Sequence, residues 1–210
     1  MRSKDYYCIR MYGYGQGYMT QAALLLDEMA DAEQFINVLV RHSYLPHMAG
    51  WACPEGIILH RSGKYYLPVN GYAGQDSHLG EATKAMRLML GVDDNDSEHI
   101  RLVPRYPATW TRMEIKDWPV LTGSDRQKLR YTYERSAERH RFVYAFEQPL
   151  KRLSVRLGPI PEGAVVSRAT VLGRDIQADI EPSGDSRWVW IRDLDKATGE
   201  IDLVLQNVDR

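Results

Sequence analysis

Apolar residues recur at three- and four-residue steps between Gln21 and His42, at Ala22, Leu25, Leu26, Met29, Ala32, Phe35, Ile36 and Leu39. This is the period of one face of an α-helix. The spacing predicts a helix that begins around Tyr18 to Thr20 and stops before Pro46, whose ring cannot continue it. A second helix is predicted from about Ser77 to Leu90, with Leu79, Ala82, Met86 and Met89 on one face. Asp76 or Ser77 suits its start and Gly91 its end. The long stretch between the two, rich in Gly, Pro and aromatic residues, reads as a loop. Loops of that length are functional or disordered, and the tyrosines argue against disorder.

Downstream of Gly123 the period drops to two. Leu129, Tyr131 and Tyr133 alternate with Arg130 and Thr132, and Phe142, Tyr144 and Phe146 alternate with Val143 and Ala145. Further strands are predicted at Leu153 to Leu157, Val165 to Val171, Arg174 to Ile180, Arg187 to Arg192 and Ile201 to Gln206. Gly158-Pro159, Pro161-Glu162-Gly163, Gly173, Ser183-Gly184-Asp185 and Thr198-Gly199 separate them as turns. Many short, evenly spaced strands point to an antiparallel β-sandwich. The fold class is therefore mixed α and β in separate domains, helices over residues 1–122 and a sandwich over 123–210. Trp110 and Trp118, in a strand-like run with Met113 and Ile115, belong to the core or to the seam between the domains.

Composition narrows the class. The chain has 210 residues, 44% hydrophobic and 26% charged, as in soluble globular proteins with one large domain or two small ones. A net charge of -1 leaves no general electrostatic drive toward nucleic acid or an anionic membrane. No apolar run approaches the roughly 20 residues that span a bilayer. Arg2-Ser3-Lys4-Asp5-Tyr6 has no apolar signal-peptide region, so the chain as written is expected in the cytoplasm. Cys8 and Cys53 form one disulfide or, as is commoner in a chain of this length, stay buried thiols. There are 13 Tyr and 5 Trp against 3 Phe. Rings with a hydrogen-bonding tip suit polar, ring-shaped ligands.

The chemistry concentrates in Trp51-Ala52-Cys53-Pro54-Glu55-Gly56 and the tyrosine-rich run from Lys64 to Tyr72. Acid–base chemistry on a sugar needs a positioned carboxylate, and flat aromatic faces beside polar groups bind sugar rings. Glu55 is the candidate carboxylate, and the simple competitor is a solvated loop residue. Trp51, Tyr65, Tyr66 and Tyr72 stack on a ligand or pack the loop. His60 and His78 hydrogen-bond hydroxyl groups or serve structurally. Gly13-Tyr14-Gly15-Gln16-Gly17 lacks the spacing and the βαβ context of a dinucleotide loop. Its glycines let the backbone turn tightly, with Tyr12, Tyr14 and Gln16 facing a ligand. Asp93 to Glu98 lacks the spacing of a calcium loop, and no His or Cys cluster shows zinc spacing. No metal and no cofactor is expected.

The segments Tyr14-Gly15-Gln16-Gly17-Tyr18-Met19-Thr20-Gln21-Ala22-Ala23-Leu24-Leu25, Pro54-Glu55-Gly56, Leu88-Met89-Leu90-Gly91 and Leu102-Val103-Pro104-Arg105-Tyr106-Pro107 carry a resemblance. They look like the closing part of six-hairpin glycoside hydrolases, in particular α-L-rhamnosidase-like enzymes. The resemblance implies an (α/α)6 barrel, here a partial α/α-toroid, followed by a C-terminal β-sandwich. It implies that Glu55 is the general base, although Pro54 stands where the family often has an aromatic. It places the general acid on an earlier barrel loop. Twelve barrel helices need well over roughly 200 residues at ordinary helix and loop lengths. The chain thus reads as a C-terminal fragment or remnant of a glycosidase, and the resemblance implies a secreted parent enzyme. Asp76 and Glu81, the nearest other carboxylates, read as helix-start residues. The implied partners are a carbohydrate substrate and the missing N-terminal barrel portion, with oligomers forming through helix faces left uncovered. The alternative is a non-catalytic carbohydrate-binding or structural β-sandwich module.

Overall fold

The structure is a computed structural model that describes residues 10–43, 54–59, 66–73 and 76–207. It divides into two units, Met1–Met89 and Leu90–Arg210. In the first unit the described elements are β1 (Arg10–Tyr12), α1 (Gly13–Leu25), α2 (Met29–Ser43), β2 (Pro54–Leu59), β3 (Tyr66–Ala73) and α3 (Asp76–Leu90).

Two local predictions need correction here. The helix read as continuous from Gln21 to His42 is interrupted. Asp27 takes a left-handed backbone (φ 56°), and the N–H of Glu28 donates back to the carbonyl of Ala23 at 2.9 Å. That 6→1 bond closes α1 with a Schellman-type cap, and the Glu28 carbonyl then accepts the N–H of Ala32 as α2 begins. Apolar spacing runs through the break although its upstream members, Ala22, Leu25 and Leu26, are exposed; α1 buries Ala23 and Leu24 instead, and α2 buries Ala32, Phe35 and Ile36.

The second correction concerns the long loop, which contains strands. β1, β2 and β3 form an antiparallel three-stranded sheet in that order. Ile57, Ile58 and Leu59 supply a strand-forming run, and the tyrosines read as ligand platforms are strand formers too. Pro68 is accommodated because β3 is an edge strand. Three helices beside a small sheet do not by themselves make an α/α-toroid.

The second unit is strand-rich. Its elements are β4 (Val92–Asp93), β5 (Ile100–Leu102), β6 (Arg112–Thr122), β7 (Asp125–Arg135), β8 (Arg139–Phe146), β9 (Leu153–Leu157), β10 (Ala164–Val171), β11 (Arg174–Asp175), β12 (Asp179–Ser183), β13 (Ser186–Leu194) and β14 (Thr198–Asn207). A six-stranded sheet runs β11-β10-β14-β8-β7-β6, and a five-stranded sheet runs β12-β13-β9-β5-β4. The arrangement is sandwich-like and mostly antiparallel, with one parallel pair, β5 with β9. Gly123, where the alternating pattern becomes visible in the sequence, is the turn of the hairpin that joins β6 to β7. The run Arg174 to Ile180 is not one strand but two, β11 and β12, in different sheets.

Alternation sets the core. Leu129, Tyr131 and Tyr133 of β7, Phe142, Tyr144 and Phe146 of β8, and Ile201, Leu203 and Leu205 of β14 are all buried. So are Leu153, Val155, Leu157, Val189 and Ile191 of the other sheet. Burial of each such side chain stabilises the fold by about 1.5–3 kcal/mol. Ring packing orders the centre: Tyr131 lies 5.0 Å from Phe142, and Tyr133 meets Tyr106 edge-on at 5.2 Å.

A polar strand of interactions crosses this core. The Tyr133 hydroxyl accepts the N–H of Gly158 at 2.9 Å and lies 2.8 Å from Nδ1 of His140. Burial, reinforced by the positive charge of Arg135, pushes the His140 imidazole down to about 4. The folded protein therefore excludes a proton that the unfolded chain accepts near 6.5. Stability is expected to be level above pH 6.5 on this account, to fall as the pH drops below it, and to stop falling near pH 4. The loss attributable to His140 between pH 7 and 4 is about 3 kcal/mol. Urea unfolding of the wild type and of His140→Gln across that range measures it, the variant giving the shallower dependence.

Candidate functional site

The three-stranded sheet gathers several of the residues singled out by sequence. β1 pairs with β2 through Arg10↔Ile58, Met11↔Ile57 and Tyr12↔Gly56. β2 pairs with β3 through Pro54↔Ala73 and then Gly56↔Val69, so the ladder is interrupted at Glu55. Glu55 alone on β2 stands opposite Asn70, Gly71 and Tyr72 on β3. A bulge of this kind bends a strand and re-aims its residues, and such bulges recur beside functional sites. Glu55 and Tyr72 thus belong to the same irregular end of the sheet.

Helix α1 starts at that end as well. Tyr12, opposite Gly56, is the last residue of β1, and α1 begins at the next residue, Gly13. Tyr14 and Gln16 therefore sit in the first turn of a helix that lies along β1 and β2. The unpaired N–H groups of this turn form the positive end of the helix dipole. The topology brings together Glu55, Tyr72, Tyr14 and Gln16. It does not bring Tyr66 with them: Tyr66 pairs with Leu59 at the far end of β2, about 13 Å from Glu55 at the rise of a strand. Trp51, His60 and Tyr65, like Cys8 and Cys53, lie outside the described residues.

The second and third turns of α1 are held by a contact that sequence reasoning missed. Glu81 reads in the sequence as a helix-start residue, yet in α3 it is buried against α1. Gln21 of α1 donates its Nε2 to the Glu81 carboxylate at 2.6 Å and to the Glu81 carbonyl at 3.2 Å. Lys84 donates to the other carboxylate oxygen at 2.7 Å. The Lys84 hydrogen bond, then that of Gln21, holds the Glu81 carboxyl below the usual carboxylate range. One turn earlier on α1, Gly17 approaches so closely that a Cβ there would stand 2.6 Å from Cβ of Glu81. The signal available in the sequence was the pair Gly17 and Gln21, four residues apart and so on one face of the helix. The cluster fastens α1 and leaves the Glu81 carboxylate fully engaged, so it is a structural clasp.

Among the described residues no group of three or more His, Cys, Asp or Glu is arranged to hold a metal. None of the described helices is long and apolar enough to cross a membrane. No protein-family model matches the sequence, and no curated protein matches it.

The clasp makes a contrasting prediction for two glycines. Gly17→Ala drives a methyl group into the Cβ and backbone of Glu81 and is expected to cost about 1–3 kcal/mol. Gly80→Ala, in the interior of α3 with nothing within 4 Å of its Cβ, is expected to be neutral or stabilising by up to about 1 kcal/mol. Chemical denaturation of the two variants side by side checks both signs.

Proposed function

We propose that the chain is the C-terminal portion of a glycoside hydrolase acting on plant or bacterial oligosaccharides, with Glu55 as general base. The observation that carries this reading is the convergence of Glu55, Tyr72, Tyr14 and Gln16 at one end of the three-stranded sheet. In the proposed reaction the Glu55 carboxylate takes a proton from water as the water attacks the anomeric carbon. A second carboxyl group, supplied by barrel helices upstream, protonates the departing oxygen. The two groups stand roughly 6.5–9.5 Å apart if the reaction inverts configuration, leaving room for that water. The tyrosines and Gln16 offer ring faces and hydrogen-bonding groups to the sugar. The positive end of α1 favours negative charge where Glu55 works.

The helices supply the support for a larger barrel. Leu25 and Leu26 are 60% and 65% exposed, and Tyr18, Met19 and Met86 are exposed as well. Helix α1 also buries Ala23 and Leu24, so it is apolar on more than one side. A helix of that kind belongs in the interior of a larger assembly. In the proposed enzyme the upstream barrel helices cover these residues.

Two measurements follow. Calorimetry or ligand-observed NMR with a panel of monosaccharides that includes L-rhamnose is expected to show saturable binding to the chain that changes in Glu55→Gln. Binding indifferent to that substitution, or none at all in a folded chain, overturns the placement of the sugar at Glu55. Light scattering of the chain alone is expected to show self-association, reduced in the double variant Leu25→Glu, Leu26→Lys; a monodisperse wild-type monomer refutes the uncovered seam.

A further inference from the structure

The outer face of the six-stranded sheet is a lattice of cross-strand ion pairs. Arg141 bridges Glu134 and Glu200, Arg112 reaches Glu114 and Glu134, and Arg139 takes Asp202 through Nε at 2.7 Å and Nη2 at 2.9 Å. Such a face ordinarily serves as a solvated surface. The lattice is interrupted in one place. Where it crosses the middle of β7 and β8, the outward positions carry the short side chains Thr132, Val143 and Ala145. An open groove of about 440 Å³ lies over them.

A bulge builds one wall of this groove. The β6–β7 register jumps from Ile115↔Tyr131 to Trp118↔Leu129, so Lys116 and Asp117 together stand opposite Arg130. Asp117 takes a left-handed backbone (φ 53°), which is uncommon for a residue with a side chain. That conformation sets its carboxylate on Arg130, which donates through Nε at 2.8 Å and approaches through Nη2 at 2.6 Å. Glu114 and Lys116 line the same groove, and Lys128 and Glu147 extend it past Ala145. Three carboxylates thus face three cations around a floor of a hydroxyl, a methyl and an isopropyl group.

Balanced charge selects the class of ligand. A polyanion would meet Glu114, Asp117 and Glu147, and a polycation would meet Lys116, Lys128 and Arg130; each carries a repulsive cost. A neutral molecule dense in hydroxyl groups meets none. The Asp117–Arg130 pair presents acceptors and donors side by side, so one hydroxyl of a vicinal diol can donate to the carboxylate while its neighbour accepts from the guanidinium. Hydrogen bonds to charged partners are the stronger kind. The volume suits one or two sugar rings. We propose that this groove is a binding site for a neutral saccharide, gripped by Asp117 and Arg130 over Thr132, Val143 and Ala145. It stands on residues of the second unit only and is independent of the role proposed for Glu55.

Amide NMR of the whole chain with L-rhamnose, cellobiose and D-galacturonate as probes tests this. The neutral sugars are expected to shift the amide signals of Lys116, Asp117, Arg130, Thr132 and Val143, and galacturonate to bind more weakly. Asp117→Asn keeps a residue that tolerates the left-handed backbone and removes the charge. It is expected to weaken binding about tenfold, the scale of one charge-assisted hydrogen bond. Glu55→Gln is expected to leave these shifts unchanged, which separates this site from the one at the three-stranded sheet. A well-dispersed spectrum in which no neutral probe moves those amides overturns the proposal. So do equal responses in wild type and Asp117→Asn, or tighter binding of galacturonate.

Discussion

A guanidinium group that leaves water must find acceptors, and the strand-rich unit is organised around how Arg135 does so. Its side chain is 8% exposed as a residue. Nε donates to the carbonyl of Trp110 at 3.0 Å, Nη1 to that of Gly158 at 3.2 Å, and Nη2 to those of Tyr106 and Pro107. The Tyr106 ring sits 4.0 Å from its central carbon. One charged head thereby ties the segment ahead of β6, the end of β7 and the turn after β9. Leaving such a charge unsatisfied costs several kcal/mol, which makes its partners obligatory rather than decorative. The neighbouring Tyr133–His140–Gly158 contacts share that anchor, because Gly158 serves both groups.

The same demand explains why chemistry and stability separate in this chain. Three buried polar groups are committed to backbone or to each other: Arg135 to carbonyls, His140 to Tyr133, and Glu81 to Gln21 and Lys84. Groups so committed hold parts together. The two carboxylates proposed to meet a ligand, Glu55 on β2 and Asp117 on β6, sit where a strand ladder is broken. Both bulges take a carboxylate out of regular register. The two proposed sites therefore rest on one structural device, on separate sheets.

Much of the architecture was legible from local pattern. The alternating runs around Tyr131 and Tyr144 follow from period-two burial, the strand at Leu153 to Leu157 is buried throughout, and the second helix follows from its apolar spacing and Gly91. Other elements were hidden for definite reasons. The break at Asp27 is invisible to periodicity because Ala22, Leu25 and Leu26 keep the helical spacing up to it although they are exposed. The strands β2 and β3 carry the glycine, proline and asparagine that also mark loops, so type could not be read from composition. Of the candidate site, Glu55 was legible as a carboxylate among aromatics. Its company was only partly so: Tyr72, Tyr14 and Gln16 share its end of the sheet and Tyr66 does not.

By itself the sequence determined that helices lie in the first part of the chain and that the second is strand-rich, the balance of charge, and which side chains are apolar enough to seek burial. Those properties depend on neighbours a few residues apart. Only the tertiary structure decided that Glu81 clasps Gln21 across sixty residues of chain, that Arg135 is spent on carbonyls, and that Asp117 turns toward Arg130 over a groove. Each of these is a pairing between distant positions, set by strand register and by the close approach of a glycine. Register shifts of a single residue move every side chain to the other face, so no local period encodes them.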